Sequence, residues 1–410
     1  MKTIKFKNPG ISNIKILLFC FLLGCNTILS SCEKDNVKNN QVQVSLQRVA
    51  DSVYKEFDEK WNIEKSGVML YITGPSGTFM ASSNITPTPN PDTHFRIASI
   101  SKTFTAAAIM RLQQDGLLSI DDTLGTYIIN NPAYDIPYRS QITIKQLLQH
   151  RAGVFDVINN EIPDTVPAPY AGEKYVDYIR SQNESHTFTF DELVGINAEH
   201  QLSTSLPDTA FHYSNTGYNI LGKIIEIVSG MTYSDYITEK FITPLGLTHT
   251  YSVWEGNDVT IRTPYINSHL YIDGNPGIET SEDNMSPHVS EGNIVSTAGD
   301  ITKWIKLLLT GQAGVNSENV ELMTEMQIAD DAHGLYGLGL VFNDGIGYGH
   351  DGAHLSYVST LRHNQETGIT VLASANFIRI DPSDENDQSF FELAYGIRDA
   401  CYAATRIYKD

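Results

Sequence analysis

Apolar residues recur at Val44, Val49, Val53 and Phe57, close to the α-helical period, and predict an N-terminal helix over 42–57. Two short runs at 67–73 and 78–82 follow, with Gly74-Pro75-Ser76-Gly77 between them. Such a pair predicts a β-hairpin. Beyond a Pro-rich loop at 86–91, a short run at 93–97 leads into a helix expected over 99–114 and stopped by Gly116. Ala106, Ala107 and Ala108 give that helix a slim side, so it can pack deep in the protein.

After Ile120-Asp121-Asp122 the texture changes to prolines, tyrosines and short amphipathic segments, with helices predicted at 144–149, 218–229 and 233–241. From Ile294 strand patterns return. A helix near 299–309 precedes runs at 337–342, 348–349, 356–362 and 370–375, which read as successive antiparallel neighbours. A final helix is expected over about 390–407. The chain therefore divides into an α/β (α+β) part, 44–124 and 290–410, with an antiparallel sheet flanked by N- and C-terminal helices. Residues 125–289 form an inserted, mostly helical lobe of the same domain.

The first 31 residues differ from the rest: Lys2, Lys5, Lys7 and Lys15 with no acid, then an apolar run at 16–23 that resumes at Ile28-Leu29. This pattern reads as an export signal over 1–31. The run is shorter than the about 18 apolar residues of a membrane span. Leu29-Ser30-Ser31-Cys32 resembles a bacterial lipoprotein signal, in which the cysteine becomes the lipidated first residue. Leu22-Leu23-Gly24-Cys25 is a second candidate, and ordinary secretion with incidental cysteines is a third reading. The polar stretch after Cys32 favours that residue and makes 32–43 a tether. The expected setting is an exported outer-membrane lipoprotein, facing the periplasm or the cell surface, with the lipid bilayer as partner. Once the leader is removed, only Cys32 and Cys401 remain, and a lipidated Cys32 leaves no internal disulfide.

At 410 residues with 41% hydrophobic and 19% charged residues, the chain has enough apolar material for a real core and too few charges for a disordered or coiled-coil protein. Its 28 Lys plus Arg against 48 Asp plus Glu leave a formal charge of −20, which argues against nucleic acid as a partner.

Three constellations carry chemistry. Ser99-Ile100-Ser101-Lys102 puts a hydroxyl and an ammonium one helical turn apart on the same face, a spacing that lets lysine activate serine once burial lowers its pKa. An isolated match reads equally as an N-cap serine with a solvated lysine. Tyr213-Ser214-Asn215 lies in a turn-forming stretch before a helix. There a nearby ammonium would draw the phenol's pKa down and make it a general base, while Asn215 hydrogen-bonds the lysine and a substrate carbonyl. A turn with Asn215 as N-cap is the structural alternative. His350-Asp351-Gly352 opens a predicted strand, where Gly352 would admit substrate backbone. The N–H of Ala353, with that of Ser99, can form an oxyanion hole, in which one donor stabilises the transition state by about 3 to 4 kcal/mol. His350 and His354 also invite a metal reading. It is set aside because the third ligand is undefined and no His-Glu-x-x-His occurs.

Ser99-x-x-Lys102, Tyr213-x-Asn215 and His350-x-Gly352, in this order, resemble the serine β-lactamase-like family of class C β-lactamases, D-Ala-D-Ala carboxypeptidases, D-aminopeptidases and related esterases. The stretches 147–153, 243–248, 292–298 and 336–340 are similar to that family too, so the likeness covers about 45–405. The resemblance implies a β-lactamase/transpeptidase-like fold and acyl transfer without metal or cofactor on a small peptide, amide or ester. By position it implies Ser99 as acylated nucleophile, Lys102 as its activating partner and Tyr213 as proton shuttle. Asn215 would orient Lys102 and substrate, with His350 and Gly352 lining the opposite wall and His150 structural. Class C β-lactamases have Lys-Thr-Gly where this chain has His350-Asp351-Gly352, so a fixed cation for a substrate carboxylate is missing. Asp351 adds a negative charge there, which puts efficient β-lactam hydrolysis in doubt.

Overall fold

A computed structural model of the protein describes residues 38–272, 277–381, 383 and 388–410. The expected signal peptide, Cys25, Cys32 and the first half of the tether lie outside the described residues. Two compact units are distinguished, 1–45 and 46–410. In the first, residues 38–45 are helical. The second contains every element described below.

The hairpin forms as its sequence predicts. Strands Val68–Gly74 and Gly77–Ser83 pair antiparallel, with Gly74 opposite Gly77. Its first strand also pairs with Ile369–Ala375, about 300 positions later, and so joins the two ends of the domain in one sheet. From that strand the sheet continues through Tyr357–Asn364, Gly347–His354, Val341–Asn343, Leu335–Tyr336 and Gln327–Ile328, giving eight antiparallel strands. Full burial of Ile369–Ala375 on both faces marks it as a central strand covered by helices.

The final helix, Gln388–Lys409, buries Leu393, Ile397, Ala400, Cys401, Ala404 and Tyr408, a three- and four-residue spacing that lays one stripe on the sheet. Tyr408 clamps the hairpin turn, because its hydroxyl receives the Ser76 N–H at 2.8 Å and donates to the Gly77 carbonyl at 2.9 Å. The helix over 46–61 ends beside it, with Phe57 stacked on Trp61 and edge-on to Phe377. On the other side, Ala298–Leu309 packs against Tyr357–Asn364 and Ile369–Ala375.

Several elements depart from expectation. The run 337–342 is not one strand: Leu335–Tyr336 and Val341–Asn343 flank a turn in which Gly339 has φ +68°. A Cβ on Gly339 would lie 2.6 Å from the Ala106 Cβ, so only glycine lets this turn cross the buried helix. The helix expected over 233–241 is α-helical only at Tyr233–Ile237 and continues as a π-helical turn, Thr238–Ile242. Two helices not anticipated, Tyr175–Gln182 and Phe190–His200, form between the expected ones. They bury Tyr175, Val176, Phe188 and Leu193 with Val157 and Ile162 in a small core apart from the main one.

Candidate active site

The short strand His94–Arg96 pairs with Ile294–Thr297, and the Ile97 N–H bonds the Ile294 carbonyl at 3.1 Å. The chain then turns sharply: Ala98 takes φ +48°, and Ala98–Ser101 forms a single 3₁₀ turn that carries Ser99. A non-glycine residue in that region stores strain, and strain of this kind is concentrated at functional sites. The second serine of the motif has a different task. Its hydroxyl accepts the Ile294 N–H at 3.2 Å and holds the turn against the neighbouring strand.

Behind the turn, Lys102–Gln114 is buried from Lys102 through Met110. Its alanines allow this depth, and Phe104 stacks on Trp304 at 3.8 Å. Lys102 therefore has no route to solvent. Its ammonium donates to Ser99 Oγ at 3.1 Å, Asn215 Oδ1 at 2.7 Å and the Glu291 carbonyl at 3.0 Å, and pairs with Glu291 Oε2 at 3.2 Å. Burial pushes the Lys102 pKa below its ordinary value, while the Glu291 carboxylate pulls it back. Burial alone would raise Glu291, yet Lys102 and His288 hold its carboxyl at about 2. The carboxylate is ionised, and Lys102 is the group whose proton affinity is adjustable.

Asn215 begins the helix Asn215–Ser229, whose N-cap is Ser214, its hydroxyl accepting the Gly217 N–H at 3.1 Å. Asn215 is thus free of capping duty. Its own N–H bonds buried Asp156 at 3.1 Å, which fixes the side chain toward Lys102. Tyr213, just before the cap, lies between two imidazoles, His150 at 4.1 Å and His333 at 4.9 Å between ring centres. The expectation of a depressed phenol pKa is overturned. Burial raises it well above the ordinary value against an opposing hydrogen bond to Ser99, and Glu291, Asp156 and Asp351 add to the rise. Burial is the largest of these causes, and Tyr213 rests as a neutral phenol.

The side of the cavity at His350 is also neutral. His150 Nδ1 accepts the Ser214 N–H at 3.0 Å, so its Nε2 carries the hydrogen shared with Tyr336 Oη at 3.2 Å. Tyr336 in turn donates to His350 Nε2 at 2.8 Å, and His350 Nδ1 donates to the Asp351 carbonyl at 2.5 Å. This directional chain works only with neutral rings. Burial, with the Lys102 charge next, brings His350 down to about 3. Asp351 does not bear on the cavity as a free anion, because Arg362 at 2.8 Å and Thr360 at 2.8 Å hold its carboxylate. Gly352 does meet a close approach, but from the protein itself: a Cβ there would lie 2.4 Å from the Ile97 carbonyl, just before the turn that carries Ser99.

Ser99, Tyr213, Asn215, His350, Gly352 and Ala353 all line one cavity of about 290 Å³. Its sequence-predicted members come from three separate stretches of the chain, and the structure brings every one of them together. Sequence reasoning missed Glu291, Asp156 and Tyr336 as polar supports. Glu291 precedes the stretch 292–298, already singled out, and its spacing of three from His288 was the available signal. His288 Nδ1 approaches Glu291 Oε1 to 2.5 Å. His354 Nε2 bonds Asp283 Oδ2 at 2.8 Å, and Asp283 is further paired with Arg180. Chemically, the cavity offers a hydroxyl with a tunable amine, a neutral phenol and a positioned amide around one point, the parts required for acyl transfer.

Comparison with known proteins agrees with the geometry. Residues 64–387 match the Beta-lactamase family model, and the chain belongs to that family of serine hydrolases. Protein flp of Staphylococcus aureus is 32% identical over 164 residues, covering 39% of this chain and 28% of that protein. The match thus spans little more than a quarter of that relative's length. Penicillin-binding protein 4 of Amycolatopsis lactamdurans is 26% identical over 302 residues, 70% of this chain and 72% of its own length. Among solved structures, D-amino acid amidase from Ochrobactrum anthropi, complexed with D-phenylalanine, has a TM-score of 0.71 at 22% identity, covering 91% of this chain and 99% of that one. The penicillin-binding protein from Bacillus halodurans has a TM-score of 0.66 at 22% identity, covering 85% and 99%. At these identities the likeness establishes a mixed α/β fold with an antiparallel sheet.

Proposed function

We propose that this protein is a serine hydrolase that forms an acyl-enzyme on Ser99 and cleaves an amide or peptide bond next to a D-amino acid, with D-alanyl peptides of the cell wall as leading substrates. The observation that carries the reading is the Lys102 ammonium within 3.1 Å of Ser99 Oγ and 2.7 Å of Asn215, beside one cavity. Ser99 attacks the scissile carbonyl when Lys102 is neutral and takes its proton. The N–H groups of Ser99 and Ala353 hold the oxyanion. Tyr213 then donates its phenolic proton to the leaving nitrogen as the C–N bond breaks, and recovers a proton from Lys102. Water repeats the sequence with the acyl group, releasing the acid and restoring Ser99. The D-amino acid amidase and penicillin-binding proteins among its structural likenesses support an amide substrate.

A small-ester substrate is the second reading, favoured by the neutral His350 where a carboxylate-binding lysine would stand. We further propose that the chain is exported and anchored to the outer membrane through lipid on Cys32, as its leader pattern suggests.

Intact-mass spectrometry after mixing with D-alanyl peptides, D-amino acid amides, p-nitrophenyl esters and penicillins tests the function. The expected outcome is an adduct on Ser99 with released product, absent in Ser99→Ala. Folded protein that gives neither adduct nor product across the panel makes it a non-catalytic peptide-binding or penicillin-interactive surface protein instead.

A further inference from the structure

Beside the catalytic residues, Asp283, His288 and His354 converge so that one ligand atom from each lies within 4.8 Å of the other two. They are the one such group of three among the described residues. Bonds of about 2.0–2.2 Å to a tetrahedral ion place ligand atoms roughly 3.3–3.6 Å apart, so small ring rotations close the set. Asp283 and His288 are buried and His354 nearly so. Of the two histidines that invited a metal reading in the sequence, only His354 belongs to this group; Asp283 and His288 come from a segment about 70 positions earlier, and His350 is not part of it.

The groups around these three prepare them for a cation. Glu291 can only accept, so His288 Nδ1 carries its hydrogen toward that carboxylate at 2.5 Å. This leaves the Nε2 lone pair for a metal. The arrangement is a carboxylate–histidine pair of the kind that orients metal-binding imidazoles. Arg180 holds Asp283 Oδ1 and leaves Oδ2 toward His354, at 2.8 Å from its Nε2. The two imidazoles meet edge to face at 4.1 Å between centres. A bound ion would replace the hydrogen between Asp283 and His354, with the His354 proton carried on Nδ1. Two imidazoles and one carboxylate are a donor set suited to Zn²⁺, and three protein ligands leave one position open.

We propose that Asp283, His288 and His354 form a Zn²⁺ site that opens on the Ser99 cavity and supplies there the cation for a substrate carboxylate. His288 and His354 both line that cavity. His350, four residues before His354 on the same strand, offers no such charge. The carboxylate role rests on the hydrolase reading, whereas the metal site does not.

The test is calorimetric titration of the untagged protein with ZnCl₂, alongside Ser99→Ala, His354→Gln and Asp283→Asn. Circular dichroism verifies that each is folded. One equivalent of zinc is expected in the unsubstituted protein and in Ser99→Ala, with affinity at least about tenfold weaker in the other two, a loss of about 1.4 kcal/mol. Cobalt-loaded unsubstituted protein should show the intense visible absorption of a four-coordinate ion, a readout independent of how the variants fold. No zinc uptake by folded protein, unchanged affinity in both ligand variants, or the cobalt spectrum of the aqueous ion overturns the site. In Ser99→Ala, which cannot turn substrate over, zinc should tighten binding of N-acetyl-D-alanyl-D-alanine at least tenfold. Zinc that binds without that gain overturns the carboxylate role alone.

Discussion

The two walls of the cavity solve the same problem, burying polar groups without leaving them unpaired, in opposite ways. One wall keeps its charges and pairs them: Lys102 with Glu291, and Asp283 with Arg180. The other removes its charges: His150, Tyr336 and His350 are neutral and satisfied by one directional hydrogen-bond chain. An ion pair leaves proton affinity adjustable by the partner's position, whereas a neutral chain fixes tautomer and orientation. The ionic wall therefore suits proton transfer, and the neutral wall suits holding an uncharged substrate group.

The largest effect should come from the ionic wall itself. Ser99→Ala and Lys102→Met should each lower kcat/KM at least about 1000-fold on the best substrate in the panel. Residual turnover within tenfold of the unsubstituted protein in either variant ends the proposed mechanism. Next comes Glu291→Gln. It removes the carboxylate that pulls Lys102 up, so the Lys102 pKa falls further. The acid limb of the kcat/KM profile should move to lower pH, with about tenfold lower kcat from lost positioning. A limb that stays in place or moves to higher pH contradicts the role given to Glu291.

Converting one wall into the other is the sharper comparison. His350→Lys places an ammonium where the neutral ring stands. KM for carboxylate-bearing substrates should drop roughly tenfold relative to neutral amides, about 1.4 kcal/mol, while the melting temperature falls because the new charge is buried near Lys102. Equal KM changes for both classes would mean that His350 does not face the leaving side of the substrate. Tyr336→Phe cuts the chain between two buried imidazoles. It should cost about 1–3 kcal/mol in denaturant unfolding, as expected for buried groups left unpaired.

A further effect is read from pH. His350 and His363 are brought by burial down to about 3 and about 4. In the unfolded chain they titrate near 6.5. Below that pH the unfolded state binds more protons, so the stability contributed by the neutral rings is full above about 6.5 and is lost as pH falls toward 4 and then 3. The melting temperature should begin to decline below pH 6.5, and less so in His350→Asn. A flat melting temperature from pH 7 to 5 removes these rings from the account.

What local sequence determined was whatever depends on neighbours along the chain. Two glycines around Pro75-Ser76 make the hairpin, and the alanines after Lys102 permit the buried helix. The Ser99-Lys102 spacing places hydroxyl and amine on one face. Tertiary structure decided whatever depends on distance in space. Val68–Gly74 pairs with a strand about 300 positions later, a contact that no local pattern specifies. The small core under Tyr175–Gln182 and Phe190–His200 forms because those helices have each other to cover. The Tyr213 phenol was expected to be acidic from one neighbouring ammonium, but burial raises it, and Glu291, Asp156 and Asp351 from three other segments add to the rise. A pKa is set by burial and by every charge within a few ångströms, and neither quantity exists until the chain has folded.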